Sequence, residues 1–269
     1  MTSAAGALPL SFLDLAISAA LVLLAGGVSV ALRLGLENRL ALASVRTVVQ
    51  LLLVGYVLRF VFAQNTWYAV AIAAAVMITA ASRAAVARSS RAYRGAIPHA
   101  FVTLCITGLT TTLVVTQFVI GIEPWFEPRY LIPLLGMVLG NGLTGISLCL
   151  DTLLEALAEK RGRVEMELAH GATRWEAARE PLRGAVRRGM IPIINAMMVV
   201  GLVSLPGMMT GQILAGANPL DAVKYQIVIM FLIAGTTALG SIGIALLAYR
   251  RLFNDRHQLL WERIQRRGD

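Results

Sequence analysis

The sequence predicts an all-α, polytopic membrane protein of about seven transmembrane helices, with its N-terminus outside, its C-terminus cytoplasmic and a single permease-like domain over 1–269. Three observations predict it. Of the 269 residues, 57% are hydrophobic and only 14% charged, whereas soluble globular domains carry roughly 25% charged residues. Seven apolar stretches approach the roughly 20 residues that a helix needs to cross a bilayer core of about 30 Å. Finally, Lys and Arg cluster on alternate loops, the pattern of the positive-inside rule.

The first span covers 12–32, with Asp14 at the level of the headgroups. No Lys or Arg occurs in the first ten residues, so the basic region of a secretory leader is missing and the run is kept as a span. The second covers 40–62 and ends in the polar turn 63–66. The third, 67–81, opens on the interfacial pair Trp67 and Tyr68 and runs into Arg83, Arg88, Arg91 and Arg94. The fourth covers 97–120 and leads to a proline- and aromatic-rich turn, where Glu123 and Glu127 straddle Trp125 and Phe126. The fifth covers 131–150. A polar segment, 151–189, follows. The sixth span covers 190–211, and the seventh, 225–249, ends in a basic tail.

Charge sets the orientation. Loops after spans one, three, five and seven hold two, four, eight and six Lys/Arg, while the opposite side has Arg129 and Lys224. A formal charge of +9 distributed in this way describes cytoplasmic loops at a lipid bilayer, not a nucleic-acid surface. Cys105 and Cys149 fall inside apolar runs, where they read as packing residues and not as a disulfide framework or a zinc site.

Polar residues inside spans are functional candidates, because burying them in lipid is costly. Arg46 and Gln50 are one turn apart on span two and serve either structure or a pore. On span five, Gly136, Gly140, Gly142, Gly145 and Ser147 predict a tight helix-packing seam, and Asn141 either bridges helices or lines a polar path. Span six carries Asn195, Ser204, Pro206, Met208, Met209 and Gln212 as candidates for a substrate path. Pro206 removes a backbone donor and predicts a kink or break. Met197, Gly201, Ser204, Met208 and Gln212 would share one helical face. Thioether and hydroxyl groups at Met208 and Ser204 have the chemistry of metal ligands, while gap-filling at a moving helix interface is the alternative.

In the polar segment, Val164, Leu168, Ala172, Trp175, Ala178 and Leu182 form an apolar stripe. Gly171 can end a helix, and Thr173-Arg-Trp-Glu176 matches a capping box. A helix, a sharp turn at Gly171 and a short capped helix of about seven residues ending at Pro181 are therefore expected. Such a device is either a lever for a soluble partner or a connector between spans.

Glu167-Leu-Ala-His-Gly171-Ala-Thr resembles the coupling signature of ABC-transporter permeases. The stretches RTVVQLLLVGYVLRF at 46–60, VGLVSLPGMMTGQILAG at 200–216 and FNDRHQL at 253–259 resemble the iron-export permease family, which is similar to the membrane subunit of plant aluminium-tolerance transporters. The resemblance covers essentially the whole chain. It implies a permease in the inner (plasma) membrane, a homodimer working with a separate ABC ATP-binding subunit to export a metal cation. Glu167, Ala169, Gly171, Ala172, Thr173, Trp175 and Glu176 would form its coupling surface. Pro181 comes ten residues after Gly171, preceded by Arg179 and Glu180, which departs from the hydrophobic-x-Leu-Pro continuation of the general signature. The sequence contains no G-x-x-x-x-G-K-[ST] phosphate loop, so the chain is expected to bind no cofactor, with ATP and Mg on the partner. An ATP-independent cation channel or proton-coupled carrier is the competing reading.

Overall fold

The computed structural model describes residues 11–266. The first ten residues, read above as lacking a basic leader, and residues 267–269 of the basic tail lie outside the described residues. Helices α1 (Phe12–Ala31) and α2 (Glu37–Gln64) form a hairpin, followed by α3 (Trp67–Ala87), α4 (Ala96–Val114) and a π-helical turn, Val115–Ile120. Next come α5 (Pro128–Glu159), α6 (Arg161–Ala169), α7 (Arg174–Val199), α8 (Gly207–Leu214) and α9 (Pro219–Leu252). Two short strands, β1 (Arg91–Tyr93) and β2 (Ile264–Arg266), pair antiparallel and tie the tail to the loop after α3. Six helical stretches among the described residues are long and apolar enough to cross a membrane: Leu13–Ala31, Glu37–Gln64, Trp67–Ala87, Ala96–Ile120, Pro128–Glu159 and Pro219–Leu252.

Helix α5 is the centre of the bundle and packs against α3, α4, α7 and α9. Its 32 residues extend about 48 Å at 1.5 Å per residue, well beyond a bilayer core of about 30 Å. The excess carries the hydrophobic core out of the membrane. One cluster runs from Leu104 and Leu135 through Leu150 and Leu157 to Val164, Ala177, Phe253 and Leu259. The cytoplasmic elements are therefore packed as a continuation of the bundle.

The predicted small-residue seam is present, displaced toward the middle of α5. Gly145 of α5, Gly189 of α7 and Ser241 of α9 meet so closely that a Cβ on Gly189 would lie 2.7 Å from both the Gly145 carbonyl oxygen and Ser241 Oγ. Cys149 completes the contact, its thiol donating to the Ser241 carbonyl at 3.3 Å. Gly142 packs on Leu104, whereas Gly140 faces open space.

The α1–α2 hairpin stands apart. Ser29 locks its turn, accepting from the Leu36 N–H at 3.0 Å and donating to Glu37 at 2.9 Å. Val61 is the only α2 residue buried within this chain. Arg46, Gln50 and Arg59 are exposed on α2, so none faces the interior of this bundle.

Three expectations need correction. Residues 151–159 are not a separate polar segment but the last turns of α5. Pro181 does not end a seven-residue helix, because α7 runs for 26 residues through Pro181 and Pro192. Burial of Ala177, Ala178, Leu182 and Ala185 along its length outweighs the lost hydrogen bond, as tertiary packing often outweighs local propensity. The sixth span is not one helix. It divides into the second half of α7, a non-helical stretch at 200–206, and α8.

Candidate functional site

Two places gather the functional candidates, and they lie at opposite ends of α7. At its N-terminus, α6 closes in a Schellman motif: the Gly171 N–H donates to the Leu168 carbonyl at 3.1 Å and the Ala172 N–H to the Glu167 carbonyl at 3.1 Å. Gly171 has φ +91°, and nothing lies within 4 Å of where its Cβ would be. Backbone conformation, not crowding, demands glycine there. Thr173 and Glu176 form the expected capping box. The Thr173 N–H and hydroxyl both donate to Glu176 Oε2 at 2.7 Å, and the Glu176 N–H returns to Thr173 Oγ1 at 3.3 Å. These bonds from Thr173, with a smaller contribution from nearby His257, hold the Glu176 carboxyl below its ordinary value.

A depressed carboxylate stabilises the folded state above its unfolded pKa, and that contribution is lost as pH falls through the folded value. The α7 cap is thus expected to loosen below about pH 4.5, the ordinary Glu value. Hydrogen exchange at 174–177 should accelerate there in wild type and be pH-insensitive in Glu176→Gln. Thr173→Ala is expected to cost about 1 kcal/mol at neutral pH, read by equilibrium unfolding.

A clamp missed from the sequence holds this end in place. The Arg174 N–H, otherwise an unpaired donor of the first turn, donates to His257 Nδ1 at 2.9 Å. Its guanidinium pairs with Asp255 at 2.7 Å. Asn254 shapes the presenting loop, its side chain accepting from the Gln258 and Arg256 N–H groups. The stretch FNDRHQL was visible as a motif, but nothing in its spacing announced a contact 81 residues away. Trp175 meets Tyr249 edge-on, ring centroids 5.5 Å apart, yet remains 49% exposed. Glu167 is half-buried and paired with Arg163 at 3.1 Å. Ala169, Gly171, Thr173 and Glu176 are exposed, and Ala172 is half-buried. Met166, 54% exposed, adds an apolar side chain that the stripe did not include. Together these residues make a rigid knuckle with an apolar tip.

At the other end α7 stops at Val199. The Val203 N–H returns to the Val199 carbonyl at 3.0 Å and the Gly201 N–H to the Ser204 carbonyl at 2.9 Å, with Gly201 at φ +82°. Pro206 then serves as the N-cap of α8, where a missing N–H costs little. The expected break is present, but it begins six residues before the proline that was held responsible. It therefore removes Gly201 and Ser204 from the face that a continuous helix would give them. Ser204 sits on an exposed tip beside Leu202 and Val203, 89% and 84% exposed. Met208 turns inward, so the proposed Met208–Ser204 pair occupies two different environments.

Below the break is a methionine shell that only the fold assembles. Met137, Met190, Met197, Met208 and Met230 are half-buried around Leu134, Ile193, Ile229 and Ile233. Nearby helices α8 and α9 contribute Gln212 and Gln226, whose Oε1 atoms are buried without a hydrogen-bond partner. Gln226 is 6% exposed. Met209 is half-buried in α8. Asn141 donates to the Met137 carbonyl of its own helix at 2.9 Å and is exposed, as is Asn195. Among the described residues no group of three or more His, Cys, Asp or Glu could hold a metal ion. Any cation path here is built from thioethers, amide oxygens and backbone.

A polytopic helical bundle with an exposed knuckle and a broken membrane helix defines a protein of the membrane-permease class. Residues 12–253 match UPF0014, described as an uncharacterised protein family, and the chain belongs to it. It is 42% identical to the UPF0014 membrane protein slr1647 of Synechocystis over 84% of this chain and 88% of that one. It is 32% identical to the probable iron export permease protein FetB of Escherichia coli, covering 94% and 96% of the two chains. The UPF0014 membrane protein STAR2 of rice is 36% identical, over 89% of this chain and 83% of that protein. No solved structure matches the chain.

Proposed function

We propose that this chain is the permease subunit of an ATP-driven transporter that exports iron or a related metal cation across the inner (plasma) membrane. It works as a homodimer with a separate ATP-binding subunit, which holds the ATP and Mg, while this chain binds no cofactor and hydrolyses nothing. One observation carries the reading: the exposed knuckle at Gly171–Glu176 and the break at 200–206 are the two ends of a single helix, α7. At 26 residues that helix is about 39 Å long. A displacement imposed at its cytoplasmic end reaches the break without passing through a flexible joint. The basic loops that flank the knuckle support its cytoplasmic placement, and the printed name of the Escherichia coli relative supports the cargo.

The cargo path we favour passes the methionine shell and the unpaired amide oxygens of Gln212 and Gln226. Thioether sulfur suits softer cations and amide oxygen harder ones, a mixed set appropriate to iron(II). A buried amide without a partner costs about 1–3 kcal/mol. Gln226→Leu is therefore expected to raise the unfolding free energy by about 1 kcal/mol while lowering metal-stimulated transport several-fold. Unchanged transport would confine Gln226 to packing. Met208→Leu, which preserves volume, should separate ligation from gap-filling in the same assay.

The decisive measurement is ATP hydrolysis by the complex of this chain with its ATP-binding subunit in liposomes, across iron(II), manganese(II), zinc(II) and aluminium(III). Selective stimulation is expected. Failure to copurify any ATPase, with metal flux persisting, would replace this reading with a passive channel or carrier.

A further inference from the structure

We infer that the outward groove between α7 and α9 is a binding site for an anionic glycerophospholipid of the leaflet on the side of the basic loops. The two helices run antiparallel, since Trp175 at the start of α7 meets Tyr249 near the end of α9, and Gly189 meets Ser241. Between these contacts they leave a cavity of about 440 Å³. Leu182 and Val186 of α7 and Ile242 and Leu246 of α9 make its apolar wall, and Arg179, Arg183 and Arg187 also line it.

The three arginines recur at four-residue intervals, so they form a ladder on one face of α7 that rises about 6 Å per rung. All three are exposed. Arg183 has only Glu180 at 3.9 Å, with both side chains well exposed. No ion pair to Arg179 or Arg187 occurs among the described residues. Arg187 is two residues before the Gly189–Ser241 contact, and Ser241 is eight residues, about 12 Å, along α9 from the aromatic Tyr249. The top rung therefore lies on the membrane side of the Trp175–Tyr249 pair, against the apolar wall. An arginine at that depth needs a counter-charge, and this groove contains no carboxylate to supply one.

A phospholipid phosphate fits that need, because guanidinium binds phosphate through two parallel hydrogen bonds. The acyl chains would lie along the Leu182–Val186 and Ile242–Leu246 wall. A basic pocket between membrane helices on the cytoplasmic side is the usual form of an anionic-headgroup site. Net negative lipid is favoured over zwitterionic lipid, whose own ammonium already neutralises its phosphate. The inference uses only the membrane-embedded bundle and is independent of cargo and ATP-binding subunit.

The test uses the full chain in phosphatidylcholine nanodiscs, with and without phosphatidylglycerol, and native mass spectrometry of the lipid retained on release. Wild type should retain phosphatidylglycerol several-fold over phosphatidylcholine. The triple variant Arg179→Gln/Arg183→Gln/Arg187→Gln should lose that preference. Leu246→Trp, which fills the groove without changing charge, should lower retention of both lipids. Arg188→Gln, adjacent but outside the groove, should behave as wild type, and every variant is checked for monodisperse elution and helical content. Equal retention by wild type and the triple variant overturns the proposal, as does an equal loss in Arg188→Gln. A triple variant that keeps its lipid but loses dimer mass or ATP-binding-subunit capture would also overturn it, assigning the groove to a protein.

Discussion

Gly189→Leu is expected to abolish recovery of folded protein. At the Gly145–Gly189–Ser241 junction a Cβ on Gly189 would already lie 2.7 Å from a backbone oxygen, and that oxygen belongs to another helix that cannot rotate away as a side chain would. Helix association inside a bilayer gains little from the hydrophobic effect and depends on close packing. Separating α5 and α7 therefore forfeits much of what holds them. Gly189→Ala should cost about 1–3 kcal/mol by overpacking. The control is Gly184→Ala, five residues away in the same helix, where a Cβ meets nothing within 4 Å. There the substitution should stabilise by about 0.5–1 kcal/mol, since glycine is a poor helix former. Reversible denaturant titration of purified protein measures both. Equal stabilities for the two alanine variants would show that the seam is looser than described.

The second large effect is expected at the knuckle. Gly171→Val places a β-branched residue at φ +91°, a conformation that costs an ordinary L-residue about 1–2 kcal/mol, and should tilt the start of α7. Trp175→Glu removes the ring contact with Tyr249 and replaces the exposed apolar tip with a charge. Combined, they should leave the bundle assembled, because the seam and core lie elsewhere, yet abolish capture of the ATP-binding subunit and metal-stimulated ATP hydrolysis. Undiminished association would mean that the partner docks somewhere else. Asp255→Asn with His257→Ala, which release the clamp on Arg174, should give a weaker version of the same defect.

Local chemistry made the cytoplasmic device readable before any coordinates. A glycine with positive φ, a Thr-x-x-Glu box and an apolar stripe each act within one or two helical turns, and the turn and cap appear where those rules place them. The same reasoning went astray at Pro181. A proline's missing donor is a local cost, but burial of the surrounding alanines and Leu182 against α5 and α9 is a long-range gain, and only the latter decided the outcome. Pro206 shows the reverse: the break is real, yet the chain leaves the helix at Val199 and uses the proline to begin the next one.

Composition and loop charge were enough to establish a membrane bundle, since transfer of apolar residues into lipid and retention of arginines in water are properties of the residues themselves. Motifs were enough to place the knuckle. The grip of Asp255 and His257 on Arg174, the methionine shell drawn from four helices, the unpaired amides of Gln212 and Gln226 and the arginine ladder beside an apolar groove all depend on which helix faces come together. Those faces are chosen by packing between residues far apart in the chain, so that α7 becomes one continuous rod between the knuckle and the break only in the folded bundle.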